Sequence, residues 1–173
     1  MIIVLNGYPG VGKLTVGREL ATILEGRMLD IHSVYNVAFA LTEFKSPAFV
    51  ETVEQIEAIA HNLILKLPID QAVVLTTVLA GQDDWGDQEW RRIVALGRQR
   101  PPFLVVHMSC DLEENKRRIA SEDRIMMQKL RDPAVAVRNQ TSAKALLGLD
   151  EQNLLKLDTA GMTPPAAAKA ILD

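Results

Sequence analysis

The chain has 173 residues, 48% of them apolar, and a formal net charge of −3 with a pI near 5.6, which predicts one domain over 1–173 with a substantial core and gives no general footing for nucleic acid. Cys110 is the lone cysteine and His32, His61 and His107 are scattered, which excludes an internal disulfide, a thiolate cluster and a zinc site. The opening lacks a basic start and its apolar run stops at Leu5, and no stretch approaches the ~20 apolar residues of a membrane span, so no membrane contact is expected and the expected setting is cytoplasmic.

In chain order, the apolar run Ile2-Ile3-Val4-Leu5 predicts a strand, and Val16, Leu20, Ile23 and Leu24 recur at helical spacing. Between them lies Gly7-Tyr8-Pro9-Gly10-Val11-Gly12-Lys13-Leu14-Thr15, the strand, glycine-rich loop and helix order of a phosphate-binding loop. Glycines let the backbone lie against phosphate oxygens, the N–H groups and the helix start face the anion, and Lys13 adds a charge. Leu14 stands where a metal-coordinating Ser or Thr is usual, so Mg²⁺ is expected to be held mainly by nucleotide phosphates, water and a carboxylate elsewhere, with no metal-ligating residue singled out. Thr15 keeps a hydroxyl in the first helical turn.

Arg27 to Ile31 is a short strand candidate, and Ser46-Pro47 opens a helix through Leu67. Ala72 to Leu79 is a β-prone central strand, Asp87 to Arg98 a helix, Phe103 to Met108 a strand and Leu112 to Ala120 a charged helix. Residues 122–138 mix Arg, Lys, Asp and Met around Asp132-Pro133. Leu154 to Leu157 is the last strand, and Thr163-Pro164 opens an Ala-rich terminal helix. This alternation predicts a three-layer α/β fold with a five-stranded parallel sheet and its ligand beyond the carboxyl ends of the strands.

The loop at residue 7, Asp30 after the second strand, the basic segment from Arg117 to Lys129 and Asp158-Thr159 after the last strand together resemble the small P-loop kinases, including shikimate, gluconate and adenylate kinases. Asp30-x-His32 and the Arg124 to Lys129 stretch look more like bacterial kinase-like P-loop proteins without an assigned substrate. The resemblance implies strand order 2-3-1-4-5 and a lid within 117–138. It implies ATP-dependent transfer of the γ-phosphoryl group to a hydroxyl of a small molecule, with Mg²⁺. A nucleotide or nucleoside kinase, and an ATP-binding module without transferase activity, are the alternatives.

On that resemblance Lys13, Asp30 and Arg124 are the catalytic candidates. Gly7, Pro9, Gly10, Val11, Gly12, Lys13, Leu14, Thr15, Arg117 and Thr159 are the nucleotide-binding ones, with Thr159 beside the adenine and the sequence leaving open whether Arg117 or Arg118 points inward. Asp30, His32, Asn36 and Asp83 are expected to meet the acceptor, with Trp85 and Trp90 beside it. The bland readings are an Asp30 that caps the next helix, a solvated arginine face paired with Glu113, Glu114 and Glu122, and tryptophans packed on a helix. Asp158-Thr159-Ala160-Gly161 imitates a GTPase switch motif, but lies too late in the chain and lacks a following guanine-reading tetrapeptide.

Overall fold

The computed structural model describes residues 1–81, 84–121, 132–141 and 144–173. Within them, strands β1 (Ile2–Asn6), β2 (Arg27–Asp30), β3 (Val73–Thr77), β4 (Phe103–Ser109) and β5 (Leu154–Asp158) form a parallel five-stranded sheet in the order β2-β3-β1-β4-β5. The helices are α1 (Lys13–Ile23), α2 (Ile31–Leu41), α3 (Pro47–Lys66), α4 (Asp84–Gln99), α5 (Leu112–Ala120), α6 (Ala134–Thr141) and α7 (Pro164–Leu172). Parallel strands need crossover connections, and these helices supply them on both faces.

β1 explains the layering. Ile2, Ile3, Val4 and Leu5 are all fully buried, each contributing roughly 2 kcal/mol of hydrophobic stabilisation. Alternate residues serve opposite faces: Ile3 and Leu5 pack with Val16 and Leu20 of α1 and Ala168 and Ile171 of α7. Ile2 and Val4 pack with Ile64 of α3 and Trp90, Ile93 and Leu96 of α4. Asn6 ends the strand fully buried, its amide bonded to the backbone of Leu79 and Leu147.

Most expected elements are present. Ser46 caps α3 by accepting from Phe49 N at 3.2 Å, and Thr163 caps α7. β3 is shorter than expected, Val73–Thr77, and α4 begins earlier, at Asp84. The main difference is α2: the chain turns helical at Ile31, where the apolar run suggested that the strand continues. No helix of the described residues is long and apolar enough to cross a membrane.

α2 is fixed by an aromatic and polar cluster. Val34, Tyr35 and Ala38 pack on Phe49 and Val53 of α3, with Trp85 of α4 against them. The Tyr35 hydroxyl donates to Glu89 of α4, and Arg92 of α4 donates to Glu57 of α3 at 2.6 Å, so three helices share buried polar groups. Burial pushes Glu57 up to about 7, against the pull of Arg92. Burial pushes His61 down to about 4, with Arg92 adding to it, so the 3.7 Å His61–Glu57 contact is not an ion pair between those values.

The signs differ. Glu57 is raised in the folded state, so its stabilisation is complete below its ordinary pKa and lost as pH rises through about 7. His61 is lowered, so its contribution is complete above its ordinary pKa and lost as pH falls through about 4. Above the ordinary imidazole range only the Glu57 contribution of this pair still changes. Between roughly pH 6.5 and 8, Glu57→Gln should therefore suppress a loss on the order of 1 kcal/mol seen in the unsubstituted protein, read by urea unfolding across that range.

Candidate active site

The glycine-rich loop runs from the end of β1 into α1 at the carboxyl edge of the sheet. Gly10 and Gly12 have φ of 90° and 91°, a region that L side chains rarely adopt, and a Cβ at Gly10 would come within 2.6 Å of the Asn115 amide. Gly12 is the residue before α1, whose first turn carries no acidic side chain to oppose an anion.

Five of the loop's carbonyls are held by other groups of the protein. Lys13 Nζ donates to the carbonyls of Gly7 and Tyr8, the latter at 3.1 Å. Asn115 of α5 donates to Pro9 O at 3.0 Å, and the Thr159 hydroxyl donates to Val11 O at 3.0 Å. Gly12 O takes Val16 N at 3.0 Å and the Thr15 hydroxyl at 2.9 Å. These bonds occupy the carbonyls of Gly7, Tyr8, Pro9, Val11 and Gly12, so none of those five competes for the loop amides that a phosphate cradle would offer to an anion.

A cleft of about 1200 Å³ opens over the loop. Residues 9–16 form its floor; Asp30, Ile31, His32, Asn36, Phe39 and Ala40 line one side. Glu114, Arg117, Arg118, Ser121 and Thr159 line the other. The Arg118 guanidinium reaches Thr159 twice, hydroxyl at 2.9 Å and carbonyl at 2.8 Å, and lies 3.6 Å from where a Cβ on Gly12 would stand. Arg117 is more open, its side chain 75% exposed, and chelates Glu114. Hydrogen bonds from Arg117 and then Arg118 pull Glu114 down to about 2, so it stays ionised and aims both guanidinium groups.

Asp30 occupies the N-cap position of α2, but its side chain makes no cap bond; the Thr76 hydroxyl donates to it and in turn accepts from Ile31 N at 3.3 Å. The carboxylate is thereby held at the cleft by the neighbouring strand, and the capping reading does not apply. Asp83 and Arg124 lie outside the described residues, as do residues 122–131 of the expected lid. Trp85 and Trp90 do not line the cleft: Trp85 belongs to the aromatic cluster and Trp90 to the sheet core. The paired reading of the α5 charges holds for Lys116–Glu113 at 2.8 Å and for Arg117 and Arg118 with Glu114. Thr159 reaches the cleft, yet its hydroxyl ties Val11, Ser109 and Arg118 together and is 2% exposed.

The sequence offers Thr76 as a strand-end hydroxyl and Glu114 as an arginine partner; the support it does not point to is Asn115. Asn115 follows Asp111, the cap of α5, by one helical turn, which is the spacing that could have pointed to it.

The donor set suits a nucleotide better than a metal. The anion-ready loop and two arginines fit phosphates, whereas Leu14 offers no oxygen and no cluster of three His, Cys, Asp or Glu exists among the described residues. Mg²⁺ would be held through phosphates and water, with Asp30 a carboxylate lining the same cleft. Thr159→Val should leave Val11 O and Arg118 short of a partner, costing about 1–3 kcal/mol. Thermal unfolding should register this as a fall in Tm, with nucleotide affinity falling as well.

A shikimate kinase of Corynebacterium glutamicum is 27% identical over 181 aligned positions, covering 99% of this chain and 94% of that protein. The structure of a shikimate kinase from Acinetobacter baumannii in complex with shikimate superposes with a TM-score of 0.61 at 20% identity, over 99% of this chain and 90% of that one. A gluconokinase from Sinorhizobium meliloti 1021 gives 0.61 at 12% identity, over 98% and 88%. These relatives are small P-loop kinases, and they share this fold. Residues 3–140 match the family described as AAA domain, and the chain belongs to that family.

Proposed function

We propose that the protein is an ATP-dependent phosphotransferase that moves the γ-phosphoryl group to a hydroxyl of a small molecule, within one domain over 1–173. The observation that carries this reading is the placing of Lys13 and Arg118 beside the loop and of Asp30 across it in the same cleft. Phosphoryl transfer is mainly positioning and charge stabilisation. The loop amides hold the phosphates, and Lys13 exchanges its carbonyl partners for phosphate oxygens. Arg118, and Arg117 once drawn from Glu114, take charge on the transferring group; their planar forks suit phosphate oxygens.

The acceptor oxygen forms its bond to the γ-phosphorus as the bond to the β,γ-bridging oxygen breaks. ADP leaves with that electron pair, and the hydroxyl proton passes to Asp30. Closure of a lid within 117–138, with Arg124 in it, would keep water from taking the phosphoryl group. The relatives' activities favour a small-molecule acceptor over nucleic acid, a membrane or a protein.

Asp30→Asn tests the reading against that of a binding module. It should lower the rate of γ-phosphoryl transfer by about 10²–10⁴-fold with Mg-ATP affinity retained, measured in single-turnover assays beside calorimetry. Undiminished transfer removes Asp30 from the chemistry.

A further inference from the structure

The acceptor side of the cleft carries its own chemistry. His32, Asn36, Phe39 and Ala40 line it from α2, spaced i, i+4, i+7 and i+8, so one helix face presents them all beside Asp30. Phe39 is 49% exposed, yet its ring is braced by Tyr35 at 5.9 Å, Phe44 at 5.9 Å and Phe49 at 5.2 Å between centroids. A braced aromatic surface beside an amide, an imidazole and a carboxylate suits a compound with an apolar C–H face and several hydroxyls.

Charge points the same way. An anionic acceptor needs a fixed cation near its acid group, and residues 31–67 contain no arginine. Their lysines, Lys45 and Lys66, do not line the cleft, and Lys45 lies 5.8 Å from the outer ring of Phe44. The Lys and Arg side chains lining the cleft among the described residues are Lys13 in the phosphate loop and Arg117 and Arg118, which share Glu114 across from α2. Asp30 adds a repulsion toward any second carboxylate nearby.

We propose that the acceptor is an uncharged polyhydroxy ring compound, seated on Phe39 with its hydroxyls between His32, Asn36 and Asp30. Among the described residues, no Lys or Arg side chain lines this side of the cleft to hold the carboxylate of an acid such as shikimate. This rests on the phosphotransferase reading, with the same bond to the γ-phosphorus forming and the same proton passing to Asp30.

The test is labelled γ-phosphate transfer from Mg-ATP to compounds matched in their hydroxyls and differing in charge: shikimate against its methyl ester, and glucuronate against glucuronamide, with myo-inositol as an uncharged cyclitol. The uncharged member should have the higher kcat/KM by about tenfold or more, equivalent to at least one strong polar contact. Phe39→Ala should raise KM more than it lowers kcat, and Asn36→Arg should shift preference toward the acid; a purely structural α2 face would do neither. Equal use of both members of a pair, or preference for the acids, overturns the acceptor assignment alone. No transfer to either class, with Mg-ATP still bound, overturns it together with the phosphotransferase reading.

Discussion

A phosphate loop binds an anion only while its amides stay turned outward, and that depends on where its carbonyls go. Here Gly7, Tyr8, Pro9, Val11 and Gly12 each have a carbonyl partner on the protein side. Two of these partners come from far along the chain: Asn115 lies 106 residues from Pro9, and Thr159 lies 148 from Val11. Thr159 is in place because β5 pairs with β4 in a register that sets Asp158 beside Ser109, whose carbonyl then accepts from Thr159 N at 2.8 Å. The last strand thus holds a loop built by the first, and the nucleotide site is a property of the whole sheet.

The same edge of the sheet separates two kinds of chemistry. On the α5 side, Glu114 aims two guanidinium groups and the Thr159 backbone anchors one of them, a surface suited to phosphates. On the α2 side, the Thr76 hydroxyl steadies Asp30, and the aromatic cluster braces a face of mixed polar and apolar groups. The polar contacts of Tyr35 with Glu89, and of Arg92 with Glu57, fix that face to α3 and α4. The two surfaces therefore flank the loop from opposite sides, the arrangement that in-line transfer between a phosphate donor and an acceptor would require.

Local features were legible in the sequence. The glycine spacing, Lys13, the Ser46 and Thr163 caps and the strand-end Asp30 all express short-range rules, and the structure contains them. The strand order came through the kinase resemblance rather than through periodicity. α2 was hidden because Ile31 continues the apolar run of the strand; Asp30 did stand at the helix start as a candidate cap, although its side chain bonds to Thr76 instead. The choice between Arg117 and Arg118 was equally hidden: both lie within one turn of Glu114, and only a residue 41 positions away, Thr159, gives Arg118 its second anchor. The tryptophans misled because a turn after a strand and the start of a buried helix look alike in composition.

The most direct test of the account is calorimetric titration with Mg-ATP of the protein and of its Lys13→Ala variant. Saturable binding that the variant loses by about tenfold or more is the predicted result, because the charge on the phosphates then lacks its mobile partner. Absence of binding by the unsubstituted protein, or unchanged affinity in the variant, would contradict the claim that this loop is a working phosphate cradle despite Leu14.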